Sequence, residues 1–441
     1  MKKLSFQKVF CLISVIFIGS CFIFYGSRFI KLYKENKKEE IIEKDSLVKV
    51  IKNDNSNNKN YKSINGENYF TNDTNSNYLL YSNIIWRIIK INDDNSITAI
   101  SDKAVSSLAF GKNQKYEDSY IYKWLNTTED DYSGILEKSL NETNKYLIKT
   151  TTCSDVIDEL TNNPCKKTSN NDYITLLSVA DYLNIGSKDS YLNNDEYFYL
   201  SNTNSDDNVW YVDEDGKVAS DDGTEIIGIR PVITIKQNID YQSGKGTKDN
   251  PYTIESTSGL FGSYVKLDNT LWRIYQVNES EVRLMLNDYL KVDGKNLEYK
   301  YSNINAYYND TKYGSIAYYL NNTFLNSLSY KNKLKEVKWT NGYYNAKTDY
   351  DYSYSLKYTI DSKVALISIG DIIVNPDLND YFTMTGNSTN NQGYMVYAID
   401  QSKNLTAKQM SSELNVVPTI SIDTSLLTKG KGTYDAPYEM E

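Results

Sequence analysis

The chain has 441 residues, a formal net charge of −9 and no histidine. That length gives room for two domains of ordinary size, each able to bury its own core. An acidic balance without a basic patch argues against a nucleic-acid partner, and the missing histidine removes Ser-His-Asp and Cys-His nucleophile systems, imidazole acid–base chemistry and most zinc sites. The 41 tyrosines, beside abundant Asn, Lys and Ile, read as the bias of an AT-rich coding sequence rather than as a sticky surface.

In chain order, residues 1–8 carry Lys2, Lys3 and Lys8 and read as a cytoplasmic N-terminus. The apolar run over residues 9–30 has the length of about 20 residues that a bilayer-crossing helix needs, and is assigned as a transmembrane signal anchor. A cleaved signal peptide is the alternative: Ile18-Gly19-Ser20-Cys21 resembles a lipobox, with Cys21 as the lipidated residue. The apolar continuation Phe22-Ile23-Phe24-Tyr25 favours the uncleaved anchor.

Counting basic residues on the two sides of the run, three before and five soon after, would by itself leave the bulk of the chain in the cytoplasm. Cys153 and Cys165 overrule that count, because a lone pair 12 residues apart reads as a disulfide in an oxidising compartment. Such a loop contributes roughly 3 kcal/mol. The expected location is therefore the cell membrane, single-pass, with the C-terminal domains extracytoplasmic. Residues 31–63 read as a polar stalk, and the stripe Ile41, Ile42, Leu47, Val48 and Ile51 as part of a solvated, partly helical linker.

Residues 64–256 form the first repeat. Leu79–Tyr81, Ile84–Ile91 and Ser96–Ile100 predict a β-meander, Ser119–Asn126 and Ser178–Leu183 predict short helices, and Tyr197–Leu200 and Val209–Val212 predict further strands. Asp215-Gly216 is a hairpin signal. Gly228 to Ile235 closes the copy as a strand whose Pro231 should sit at an edge or bulge. Residues 257–441 repeat this order. Trp86-Arg87 is answered by Trp272-Arg273, Pro231 by Pro418, Pro251 by Pro437, and Gly244-Lys245-Gly246-Thr247 by Gly430-Lys431-Gly432-Thr433. Over the last pair of segments seven of ten positions match, 186 residues apart, which is the spacing of a duplicated domain.

Only five arginines stand among 48 basic residues. Arg87 and Arg273 are matched between copies and read as structural, holding planar contacts with carboxylates or carbonyls or stacking on rings. Arg230 faces Val417 in the other copy, which makes it the arginine most specific to the first repeat.

Trp86-Arg87-Ile88, Trp124-Leu125-Asn126, Leu176 to Tyr182, the Trp210 strand, Gly228 to Ile233 and Gly244 to Tyr252 together resemble an uncharacterised tandem-domain family of surface proteins in low-GC Gram-positive bacteria. That family more remotely resembles the C-type-lectin-like fold shared with formylglycine-generating enzymes. The resemblance implies an α+β fold: two tandem C-type-lectin-like domains after an N-terminal transmembrane helix. It carries no activity across, because Cys153 and Cys165 lie in a different setting from the reactive cysteine pair of those enzymes and the second copy has neither.

No catalytic residue and no cofactor is assigned. Gly244-Lys245-Gly246-Thr247 lacks the preceding glycines of a phosphate-binding loop, and Pro251 stands where the phosphate-binding helix should start. Asp213 to Gly216 lacks the remaining ligands of an EF-hand and reads as a turn. Asp206, Asp207, Asp221 and Asp222 are calcium candidates in a lectin-like loop. The expected function is a membrane-anchored extracytoplasmic binding protein for a surface glycan or protein. Its alternatives are a surface enzyme acting on glycans through carboxylates, and a structural subunit of a cell-envelope complex.

Overall fold

A computed structural model of the chain describes residues 45–440 apart from 73, 114, 130–132, 256–258, 279, 303–307, 309–312, 345–357 and 388–394. Fifteen strands belong to the first copy: β1 Tyr61–Ile64, β2 Glu67–Phe70, β3 Tyr78–Tyr81, β4 Ile84–Ile91, β5 Ile97–Ser101, β6 Ser106–Leu108, β7 Thr150–Cys153, β8 Thr168–Asp172, β9 Ile174–Leu176, β10 Phe198–Thr203, β11 Val209–Val212, β12 Val218–Asp221, β13 Ile227–Ile229, β14 Pro231–Ile235 and β15 Tyr252–Thr253. The spine is a sheet in the order β1-β2-β4-β5-β14-β9, with β3 on the other part of β4 and β15 parallel to β3. A second sheet runs β12-β11-β10-β13-β6, and β7 pairs with β8 alone.

Local chemistry explains these choices. The strand β4 reads Ile-Ile-Trp-Arg-Ile-Ile-Lys-Ile, β-branched and buried along most of its length, as suits a strand covered on both faces. Ser82 and Asn83 both take positive φ between β3 and β4, giving the two-residue turn whose twist matches a hairpin. Between β11 and β12, Gly216 at φ +75 closes the longer turn in which Asp213 N–H bonds the Lys217 carbonyl. Pro231 is the first residue of β14 and lies opposite Leu176, so it starts an interior strand rather than occupying an edge.

The second copy repeats both sheets. Thr270–Val277, Glu281–Leu286 and Thr419–Asp423 take the places of β4, β5 and β14, and Tyr381–Asn387, Met395–Ile399 and Leu405–Gln409 those of β10, β11 and β12. Even the irregularity between Ile88 and Lys90 recurs, between Ile274 and Gln276.

The repeated Gly-Lys-Gly-Thr segments close the sheets. In each copy the Pro-Tyr tail adds a parallel strand beside the first strand of the meander, Tyr252 opposite Leu79 and Tyr438 opposite Val265. The loop before it folds back so tightly that a Cβ on Gly244 would lie 1.9 Å from the Pro251 carbonyl oxygen, and one on Gly430 1.9 Å from that of Pro437. Both glycines have strongly positive φ, +101 and +92. Glycine is the residue such a crossing requires. The carbonyls of Gly246 and Gly432 then accept the N–H of Tyr78 and Tyr264, each at 2.8 Å.

Three expectations are corrected. Strands hold 39% of the structure and helices 14%, so the fold is mostly β and not the α+β, C-type-lectin-like class. The short helices at Tyr120–Leu125 and Val179–Asn184 exist, but each is six residues long in a chain rich in Ile, Thr, Tyr and Val, which favours strands. Second, the transmembrane helix over residues 9–30 lies outside the described residues, and among those described no helix is long and apolar enough to cross a membrane. Third, the stalk does not extend to residue 63: the helix Leu47–Asp54 buries Leu47, Val48 and Ile51 in the core, and β1 follows it. The apolar stripe was sufficient to dock the helix, and Ser46–Glu441 form one compact unit.

The copies are bonded to each other within that unit. Trp124 Nε1 donates to the Gly370 carbonyl at 2.8 Å, Ile373 N–H to Val105 at 2.8 Å, and Asn83 Nδ2 to Phe261 at 2.6 Å.

Candidate functional site

The arginines that the sequence singles out are structural in placement. Arg87 donates to Asn77 and to the Thr74 carbonyl, with its guanidinium 3.9 Å from the Tyr78 ring centroid and 4.5 Å from that of Tyr191. Arg273 holds the Gly262 carbonyl through two nitrogens and also donates to Val374. Arg230 is fully buried and donates to the carbonyls of Ser101, Asp102 and Leu192. Trp86 and Trp272 are likewise fully buried, in the cores of their copies.

The four calcium candidates are not gathered into one site. Asp206 and Asp207 stand in the turn between β10 and β11, where Asn204 Oδ1 accepts the Asp206 N–H. Asp221 ends β12 and caps Gly223, while Asp222 accepts from Thr224. Among the described residues the only group with three metal-type ligand atoms within 4.8 Å is Cys153, Asp155 and Cys165. Cys153 and Cys165 are joined as a disulfide, and Asp155 accepts the N–H groups of Lys166 and Lys167.

A concavity of the first copy lies on the face of its main sheet, a groove of about 640 Å³. Its floor is Lys90 of β4, Thr98 of β5, Val232 and Thr234 of β14, and the end of β9. One wall is β7 with Asn162, Asn163 and Pro164 of the disulfide loop, and the other is Glu67 and Tyr69 of β2 with Asp181. The disulfide ties Cys165, at the end of that loop, to Cys153 of β7.

A charged cluster anchors one end. Lys90 Nζ lies 2.9 Å from Glu67 and 3.1 Å from Asp181, and the Tyr69 hydroxyl donates to Asp181 at 2.7 Å. Asp181 is placed by the helix N-cap: Ser178 Oγ accepts its N–H and donates to its carboxylate, both at 3.0 Å. Burial alone would lower the Lys90 ammonium, but Asp181, Tyr69 and Glu67 outweigh it and hold it well above the ordinary lysine value. Burial, and then the Asp181 charge, push the Tyr69 phenol up. Burial works to raise Asp181 as well, but Lys90 and the Tyr69 hydrogen bond bring it below the usual carboxylate range. At neutral pH Lys90 is therefore a fixed cation beside the ionised Asp181, with no free amine to act as a nucleophile.

The rest of the lining mixes hydroxyl and amide groups with the apolar Pro164, Leu176, Leu177, Ala180 and Val232. Thr150 and Thr234 bring their hydroxyls within 3.4 Å, and Asn92 Nδ2 donates to Thr98 Oγ1 at 3.0 Å. Together with Asp93 and Asp94 the groove carries more negative than positive charge, so it presents many hydrogen-bonding groups and repels anions.

Among the described residues of the second copy, this face carries larger side chains at two matched positions. Arg283 pairs with Gln276 and Ser421, the register that Thr98 holds with Lys90 and Thr234 in the first copy. Trp339 stands two residues after Val337, as Thr152 stands two after Thr150, where each first residue pairs with the end of its hairpin partner. The Arg283 guanidinium lies 4.6 Å from the Trp339 ring centroid and donates to the Lys338 carbonyl, while Trp339 is buried. Thr98 and Thr152 of the first copy thus stand where the second carries Arg283 and a buried Trp339.

The sequence reading missed Glu67, Tyr69, Lys90 and Asp181. Their one local signal was the capping pair Ser178 and Asp181; the rest depends on register between strands distant in the chain. Searches of family models, curated proteins and solved structures return no match to this chain.

Proposed function

We propose that this chain is an extracytoplasmic binding protein whose first copy holds a neutral, polyhydroxylated ligand, a segment of surface glycan, in the groove between β7 and the main sheet. The observation that carries the reading is the contrast between copies: Thr98 and Thr152 stand in the first where Arg283 and Trp339 stand in the second. A sugar presents hydroxyls that both donate and accept, and the threonines, asparagines and ionised carboxylates of the groove offer the complementary set. The volume falls within the range of ordinary small-ligand sites. The Cys153–Cys165 disulfide supports an oxidising compartment.

Isothermal titration of the chain with soluble neutral cell-wall glycan fragments, at low and high salt, tests the reading. Binding that changes little with salt is expected, because the recognition is by hydrogen bonds to a neutral ligand. Heat from anionic polymers only, or from none of the neutral fragments, would count against it. Protease treatment of intact cells tests the location, and full protection of the folded unit would contradict it.

A further inference from the structure

The contact between the copies joins two unlike faces. Trp124 and Asn83 of the first copy donate to the carbonyls of Gly370 and Phe261 of the second. A contact of unlike faces leaves one of each kind unused. The unused donor face belongs to the second copy. Trp124 stands two residues before Asn126, whose amide holds the backbone of Ile174 through two hydrogen bonds, and Tyr319 stands two before Asn321, which holds Val364 in the same way. Asn83 lies in the turn between Tyr81 and Ile84, and Asn269 in the matching turn between Leu267 and Thr270. Trp124 is fully buried. Tyr319 is only partly covered and Asn269 is exposed, and neither side chain has a hydrogen-bonding partner among the described residues. Tyr319 belongs to a patch of rings: its centroid lies 5.0 Å from that of Tyr299, and Tyr313, 81% exposed, lies 5.4 Å from the neighbouring Tyr318. Clustered surface tyrosines are what the centres of protein interfaces are enriched in.

The unused receiving face belongs to the first copy. Asn75 stands three residues before Tyr78 as Phe261 stands three before Tyr264, and each tyrosine pairs with the arginine of its meander. Ala180 stands two residues after Ser178 as Gly370 stands two after Ser368, and each serine is bonded to the aspartate three further on. Asn75 is exposed and Ala180 partly so. With Asn75 in place of Phe261 this face is the more polar of the two, which suits a phenol hydroxyl better than an indole.

We propose that the tyrosine face of the second copy docks on the first copy of another molecule of this chain, repeating between chains the contact that joins the copies within one. Tyr319 takes the place of Trp124, and Asn269 that of Asn83. The occupant follows from the matched contact, since the same face of the first copy is covered by a domain of this fold. Because unlike faces meet, the association is head to tail, and each added chain presents a fresh tyrosine face. Without a counterpart of Phe261 it is weaker than the contact within the chain, and therefore reversible. It does not depend on glycan binding in the groove.

The test is sedimentation velocity of the full chain over a range of concentrations. Wild type should shift reversibly from monomer to dimer and longer species as concentration rises. Tyr319→Glu and Asn75→Arg, one on each face, should each stay monomeric where wild type associates, with unchanged melting temperature, and Asn269→Ala should weaken association severalfold. An equimolar mixture of Tyr319→Glu and Asn75→Arg should form dimers and nothing larger, because each variant keeps one intact face. A wild type that stays monomeric overturns the proposal, as does a mixture that stays monomeric. Association of Asn75→Arg equal to that of wild type overturns it as well, since tyrosine faces would then be meeting each other. Neutral glycan fragments bound by a monomeric wild type and released by Tyr319→Glu would assign the rings to sugar and overturn it too.

Discussion

Replacing Gly244 by alanine tests whether the repeated Gly-Lys-Gly-Thr segment is a closing device. The new Cβ would lie 1.9 Å from the Pro251 carbonyl oxygen and 2.5 Å from its carbon, both backbone atoms, so no side-chain rotation relieves the clash. The φ of +101 adds about 1–3 kcal/mol for a residue with a side chain. Moving the loop aside also loses the bonds from Lys245 N–H to Asn250 and from Tyr78 N–H to Gly246, at about 1 kcal/mol each. The expected loss is about 3–5 kcal/mol, read by urea unfolding followed by tryptophan fluorescence. Gly294→Ala is the control, since Gly294 has φ +77 but nothing within 4 Å of an added Cβ. It should lose only the conformational part, about 1 kcal/mol. Equal losses for the two variants would refute the close-approach argument, and Gly430→Ala should match Gly244→Ala because its Cβ meets Pro437 at the same 1.9 Å.

Other consequences can be measured alongside. Asp371 is raised to about 6 by burial, against the Ser368 N–H and Arg283. The folded chain then holds a proton that the unfolded chain releases near pH 4, so this group makes stability fall as pH rises from about 4 to about 6. Asp371→Asn should equal wild type below about pH 4 and exceed it in urea midpoint near pH 7. No gain at the higher pH contradicts the assignment. Asp181 has the opposite sign: its lowered value gives stability present above the ordinary carboxylate pKa and lost as pH falls through the folded value. Lys90→Met leaves Glu67 and Asp181 without their cation and should cost about 2–3 kcal/mol, less than a fully buried pair because all three side chains keep partial solvent contact. Trp124→Phe removes the bond to Gly370 between copies and should cost about 1–2 kcal/mol. Reducing the Cys153–Cys165 bond should cost roughly 3 kcal/mol and expose the 154–165 loop to protease first.

The duplication was legible because its signals are local and repeat at a fixed spacing, and the structure places the matched residues in matched roles: Trp86 with Trp272, Gly244 with Gly430. The fold class was not. Two short helical patterns stand out locally, but most of the chain's apolar residues are β-branched or aromatic and enter strands. Leu47, Val48 and Ile51 showed helical spacing, but nothing local distinguishes a solvated helix from one that finds a core to dock on. The groove was least legible of all. Glu67, Lys90 and Asp181 converge only when β2 pairs with β4 and the helix Val179–Asn184 lies across them. Arg283 and Trp339 become meaningful only as replacements for Thr98 and Thr152, a comparison that needs the strand register of both copies.

That comparison also supplies the most direct test of the groove as a ligand site. The double variant Thr98→Arg/Thr152→Trp builds the side chains of the second copy into the first, at the positions that strand register and chain spacing match to Arg283 and Trp339. Titrating wild type and variant with the neutral glycan fragment that binds wild type should show affinity lost by about two orders of magnitude, near 3 kcal/mol, with the folded unit retained by circular dichroism. Unchanged affinity in a folded, filled variant would contradict the assignment of the groove.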